Sequence, residues 1–160
     1  MRVLFILALS LLSLNTFAAG SKIDIPKYDW SWKGFFGTHD RASAQRGLKV
    51  YREVCAGCHS MDLIAYRNLA DLGFSEAHIK AIAAEYLIPD GPNDEGEMFE
   101  REAIPSDRFA NPYPNVQAAR AANNGAYPPD LSLIVKARPK GADYLKALLL
   151  GYVEAPADKE

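Results

Sequence analysis

Cys55-Ala56-Gly57-Cys58-His59 constrains this chain more than any other feature, because a C-x-x-C-H run reads as a c-type haem attachment site. Two thiols three residues apart can add across the two vinyl groups of one haem, and the adjoining imidazole then lies under the iron. The motif therefore specifies a cofactor and its proximal ligand together. The alternatives are a zinc site and a thioredoxin-like dithiol. A closed structural zinc site takes four Cys or His ligands, whereas this chain holds 2 Cys and 3 His. His39 and His78 do not show the paired spacing of zinc motifs, and no βαβ pattern surrounds residues 55–58 as a thioredoxin-like site would require.

The N-terminus points to the compartment that haem attachment needs. Met1-Arg2 supplies a positive start, Val3 to Leu14 is apolar apart from Ser10 and Ser13, and Thr16-Phe17-Ala18 offers small residues at the two positions a signal peptidase inspects. This is the pattern of a secretory signal over residues 1–18. As an uncleaved anchor the run falls short of the ~20 apolar residues of a spanning helix. An exported pair of cysteines would ordinarily form a disulfide, but covalent haem consumes both. Residues 19–160 suffice for one domain with a real core. The formal charge of −2 becomes −3 on loss of Arg2, so no basic bias points to nucleic acid as a partner. Beyond the signal the longest apolar stretch, Ala147 to Val153, is far too short to cross a membrane.

The remaining pattern is helical, with long irregular connections. Asp40 is placed to cap a helix whose apolar positions Ala44, Leu48, Tyr51 and Val54 share one face and lead into the motif. Gly47 inside that helix costs about 1 kcal/mol relative to Ala, and reads either as a tolerated glycine or as the close approach of another helix or the cofactor. Ser75 predicts a second helix with Ile79, Ile82, Ala83 and Tyr86 on one side, ended by Pro89. His78 lies beside that face and takes no ligand role. Asn115 predicts a third, Val116 to Asn123, with Gly125 as left-handed terminator. Asp143 opens a fourth, with Tyr144, Leu145, Leu148 and Leu149 as its buried stripe and Gly151 at its end.

Residues 89–114 carry Pro89, Pro92, Pro105, Pro112 and Pro114 with Gly91 and Gly96, which excludes regular helix or central strand. Asp90, Asp94, Glu95, Glu97, Glu100 and Glu102 face a single base, Arg101, over the first half. Such an acidic loop is either simply solvated or a docking patch for a basic partner.

At this level of detail the chain resembles one family. The segments Trp30-Ser31-Trp32 with Gly34 and Phe36-Gly37, Gln45-Arg46-Gly47, Val50-Tyr51, Cys58-His59-Ser60-Met61-Asp62, Ala65-Tyr66-Arg67, Asp90-Gly91-Pro92-Asn93, Gly96-Glu97-Met98-Phe99, Pro112-Tyr113-Pro114-Asn115, Ala118 to Ala126, Pro128-Pro129-Asp130-Leu131-Ser132 and Asp143-Tyr144 are similar to cytochrome c1, the haem subunit of the cytochrome bc1 complex. The resemblance runs from about Tyr28 to the last residues. It implies an all-α, c-type cytochrome domain over 19–160 holding one covalent haem c through Cys55 and Cys58, with His59 as proximal iron ligand. Asn123, Pro128 and Pro129 match positions lining the haem pocket, and Arg138 and Tyr144 match residues meeting the propionates. A proline wall is rigid and dry, and a guanidinium can pair a carboxylate. On the residues alone, Asn123 reads as a helix end, Pro128-Pro129 as loop and Arg138 as a surface charge.

The resemblance also implies a second axial ligand, a methionine well downstream followed by Ala-Pro-Pro, and then a C-terminal membrane anchor. Glu160 precedes both, so the expectation is a truncated sequence. Met61 lies on the proximal side of the ring, and Met98 belongs to a different part of the family pattern. With no methionine on the iron, the sixth position would be open, the potential lowered and the iron reactive toward carbon monoxide. The implied function is one-electron transfer from the Rieske iron-sulfur protein to a soluble or tethered cytochrome c, beside cytochrome b, at the periplasmic face of a bacterial inner membrane. The rivals are a free periplasmic haem protein with an open iron site, acting as peroxidase or gas sensor, and a non-redox haem-anchored interaction module.

Overall fold

The first helix, α1 (Arg41–Glu53), begins where Asp40 predicts, its carboxylate accepting the amides of Ala42 and Ser43 at 3.0 and 3.3 Å. The computed structural model describes residues 24–154; the expected signal over 1–18 lies outside them, as do both ends of the expected 19–160 domain. On α1, Ala44 and Leu48 are half-buried and Tyr51 is buried. Val54, expected on the same face, is exposed instead. The helix has ended by then, and the chain tightens into the 3-10 turn Cys55–Gly57, which breaks the 3.6-residue period.

The core gathers where α1 meets a second 3-10 helix, Tyr66–Leu72, and α2 (Glu76–Ala84). Tyr66 is its fully buried centre, stacked on Phe109 at 4.8 Å between centroids, with Tyr51 and Tyr86 on either flank. Each such aromatic contributes about 2 kcal/mol through the area it removes from water. Ser75 caps α2 by accepting the His78 amide at 3.3 Å; Ile79, Ile82 and Ala83 are buried, and His78 is exposed. Tyr86 lies just past the helix end and still packs on the core.

The proline-rich stretch is more ordered than its composition suggests. Strands β1 (Leu87–Asp90) and β2 (Phe99–Glu102) form a two-stranded antiparallel ribbon, with Leu87 opposite Glu102 and Asp90 opposite Phe99. This adds a small sheet to an otherwise helical fold. Both strands are edges, so Pro89 is tolerated. Arg101 binds the carboxylate of Asp90 and, at 2.7 and 3.2 Å, that of Asp107. One acidic residue of the predicted loop is therefore engaged within the fold, while Asp94, Glu95, Glu97, Glu100 and Glu102 are exposed. The following residues run back across the core: the Ala103 amide donates to the Tyr86 carbonyl, the Tyr66 amide to the Asp107 carbonyl, and the Phe109 amide to the Ile64 carbonyl.

Three helices follow. Asn115 caps α3 (Val116–Ala122), accepting the Ala118 amide at 2.9 Å, and Gly125 turns the chain at φ 87° with its amide on the Arg120 carbonyl. The short α4 (Ile134–Ala137) leads to α5 (Ala142–Leu150). Gly141, at φ 52°, precedes α5, which starts at Ala142, one residue before the Asp143 that opens it in the sequence reading. Asp143 is buried in the first turn, accepting from Trp30 Nε1 at 2.6 Å and the Tyr28 amide at 3.2 Å. The expected buried stripe is also only partial. Tyr144 and Leu145 are half-buried, but Leu148 and Leu149 are exposed; Leu148 lines an apolar groove of about 610 Å³ between residues 24–28 and α5. No described helix is long and apolar enough to cross a membrane.

Candidate haem-attachment site

The C-x-x-C-H run forms one tight turn directly after α1. The carbonyl of Cys55 accepts the amides of both Cys58 (3.1 Å) and His59 (2.9 Å), which winds the two cysteines around a single turn. Both thiols are free; Cys55 is half-buried against the core and Cys58 is exposed. Among the described residues no group of three or more His, Cys, Asp and Glu comes together as a metal-binding set.

The imidazole of His59 is held by the chain some 70 residues downstream. Its Nδ1 lies 2.8 Å from the carbonyl oxygen of Pro129. A carbonyl only accepts, so Nδ1 carries the proton and Nε2 presents a free lone pair for a metal. The backbone of His59 is fixed as well, because the Tyr51 hydroxyl donates to its carbonyl at 3.2 Å. Burial foremost, aided by nearby negative groups, pushes the Tyr51 hydroxyl up to about 12, so it is a donor at any physiological pH.

Pro128 is half-buried and lines, with Cys58, Tyr113, Val116, Ala119 and Tyr127, a mixed cleft of about 130 Å³ whose lining also includes the polar residues Ser60, Asp62, Asn111 and Asn115. Val116 and Tyr127 are 41% and 48% exposed there, an apolar wall beside the exposed thiol. Asn123 closes α3 and supports this wall, its side-chain amide donating to the Ala119 carbonyl at 2.7 Å and the Tyr113 hydroxyl at 3.2 Å. Thus Cys58, His59, Asn123, Pro128 and Pro129 belong to one continuous neighbourhood. Arg138 and Tyr144 are not joined to it by any described contact. Arg138 is exposed at the end of α4, and Tyr144 lines the separate groove beside Tyr28. Of the candidate methionines, Met61 packs on the core and Met98 is exposed just before β2.

Two residues beside the motif had no role assigned from the sequence. Asp130 accepts from Ser60 Oγ (2.9 Å), the Asp62 amide (2.7 Å) and the Ser132 amide (2.8 Å). Burial opposes its charge, but the Asp62 amide and the donors of Ser132 and Ser60 outweigh it and hold the carboxyl below its usual range. Ser132 in turn accepts the Leu63 amide at 3.0 Å. Only the long-range pairing of residues 60–63 with 130–132 reveals this function, although the Asp-x-Ser spacing is a local turn signal.

These residues fit a haem c: free thiols on one turn, an imidazole with Nδ1 bonded and Nε2 open, and an apolar wall. Comparison with known proteins agrees. Residues 30–160 match the model of the cytochrome C1 family. The chain is 54% identical to "Cytochrome c1-2, heme protein, mitochondrial" of Solanum tuberosum, over 84% of this chain and 52% of that protein. It is 54% identical to "Cytochrome c1" of Rhodospirillum rubrum, over 81% and 48% respectively. It is 52% identical to "Cytochrome b-c1 complex catalytic subunit, mitochondrial" of Candida albicans, over 87% and 48%. The chain spans about half the length of these relatives. Members of the family carry a covalently bound haem c, and this chain belongs to the cytochrome c1 family.

Proposed function

We propose that the chain forms the haem-bearing part of the cytochrome c1 subunit of a bc1 complex, accepting one electron from a Rieske iron-sulfur protein and passing it to a cytochrome c. The observation that carries this reading is the pairing of the C-x-x-C-H turn with a fixed proximal imidazole, His59 Nδ1 on Pro129 O at 2.8 Å. Bound haem supplies a one-electron iron couple. The chain supplies what surrounds it: thioether anchors at Cys55 and Cys58, the Nε2 lone pair of His59, and the apolar wall of Pro128, Pro129 and the Asn123-supported loop. Arg138 and Tyr144 are assigned to the propionates.

Cytochrome b and the Rieske protein are the proposed neighbours in the complex, in line with the name of the Candida albicans relative and with "Cytochrome b/c1" of Bradyrhizobium diazoefficiens, 49% identical. Residues 1–18 are assigned to an export signal, 19–160 to the haem domain, and the location to the periplasmic face of a bacterial inner membrane. The test is redox titration of the haem-loaded chain, followed by stopped-flow mixing with a reduced Rieske fragment and then with an oxidised cytochrome c. Reversible one-electron reduction and transfer in that order support the proposal; an electrochemically silent haem overturns it.

A further inference from the structure

The turn after the cysteines, residues 59–63, and the loop 128–132 are laced together. His59 Nδ1 bonds Pro129 O, the Leu131 amide bonds the Ser60 carbonyl at 2.9 Å, and the Leu63 amide bonds Ser132 Oγ. The Asp130 carboxylate ties both segments at once, taking Ser60 Oγ and the Asp62 amide from one and the Ser132 amide from the other.

The carbonyl that meets His59 needs such a tie. Proline 129 has its φ set by the ring and no N–H of its own. The rotation that aims its carbonyl, ψ, is unrestricted by the ring, and Pro129 is exposed. The peptide unit carrying that carbonyl ends at the Cα of Asp130. Fixing Asp130 against Ser60 and Asp62, the residues immediately following His59, therefore fixes where the carbonyl points relative to the imidazole.

We infer that Asp130 is a positioning residue for the haem iron, acting through the Pro129 carbonyl on the Nδ1 proton of His59. This rests on the haem reading above. A well-aimed acceptor on Nδ1 makes the imidazole a more basic ligand and favours ferric iron. Asp130→Asn puts an amide where Oδ2 meets the Asp62 amide, a donor against a donor, and releases the carbonyl.

The experiment uses the haem-loaded full chain and three proteins: unsubstituted, Asp130→Asn and Ser60→Ala. Ser60→Ala deletes one donor to the carboxylate without changing charge. The readouts are the exchange rate of the His59 Nδ1 proton by NMR and the reduction potential. In Asp130→Asn the proton exchanges about tenfold faster, as for loss of one hydrogen bond, and the potential rises. Ser60→Ala moves both in the same direction by less. Unchanged exchange in both folded variants overturns the role of Asp130 while leaving the haem assignment intact. A rise in potential with unchanged exchange also overturns it, since loss of charge alone explains that result. Should Asp130→Asn fail to mature, Ser60→Ala decides the matter on exchange. An unsubstituted chain that takes up no haem contradicts the underlying reading instead.

Discussion

Tyr51, in the last turns of α1, donates its hydroxyl to the backbone carbonyl of His59 at 3.2 Å, so the helix that delivers the chain into the C-x-x-C-H turn also pins the end of that turn. Removing the hydroxyl leaves a half-shielded carbonyl without its donor. Tyr51→Phe is expected to destabilise the fold by about 1 kcal/mol in urea titration at pH 7.

Alkaline pH reports on the same residue. Burial, above all, raises the Tyr51 hydroxyl to about 12 and moves Tyr66 in the same direction. A folded-state value above the unfolded one gives stability that is complete below the ordinary tyrosine range and is lost as pH rises through the folded value. Stability should hold to about pH 10 and fall steeply above it. Tyr51→Phe should flatten that fall without abolishing it, because Tyr66 remains. Melting temperatures between neutral and strongly alkaline pH check both statements.

The ribbon is held from the other direction. Hydrogen bonds from Arg101, foremost, hold the Asp107 carboxyl below its usual range, with burial opposing. A depressed value gives stability present above the unfolded carboxylate range and lost as pH falls through the folded one. Asp107→Asn should therefore lower the melting temperature at pH 7, and the difference from the unsubstituted chain should shrink as pH falls below the ordinary carboxylate range. A difference that persists in acid would mean the pair contributes through shape and not charge.

Gly47 offers a gain. A Cβ built there meets nothing within 4 Å, and the residue lines an apolar groove of about 390 Å³ with Leu48, Tyr51 and Phe109. Among the described residues no other helix comes within 4 Å of that position, in line with the reading of a tolerated glycine. Gly47→Ala should raise stability by about 1 kcal/mol, the helix-propensity difference, as measured by denaturant titration. A loss of stability would show that another element packs on this face.

Asp143 joins residues 28–33 to α5 through Trp30, Tyr28 and Lys33, the last at 3.7 Å. Trp30→Phe removes the indole donor while keeping an apolar ring. Faster proteolytic cleavage within residues 24–37, with cleavage elsewhere unchanged, is the expected result.

What was legible in the sequence was local. The haem motif is five consecutive residues, and Asp40, Ser75 and Asn115 each act on amides two or three positions away, so their helices could be read directly. The 3-10 helix Tyr66–Leu72 and the β1–β2 ribbon depend on partners far along the chain, such as Asp107 for the Tyr66 amide and for Arg101. No local pattern announces them. Asp143 shows the same limit: its place in the first turn of a helix is local, but its contact with Trp30 is not. Leu148 and Leu149 have the spacing of a buried stripe, yet periodicity cannot say whether anything covers it. At the site, Cys55, Cys58 and His59 were read from spacing and Asn123, Pro128 and Pro129 from the resemblance, while Asp130 needed the fold.

The most direct measurement is the intact mass of the chain produced in a host competent in cytochrome maturation, run under denaturing conditions. The account predicts one haem-sized increment that survives unfolding and is abolished in the Cys55→Ser, Cys58→Ser double variant. An unsubstituted chain with the bare polypeptide mass would contradict it.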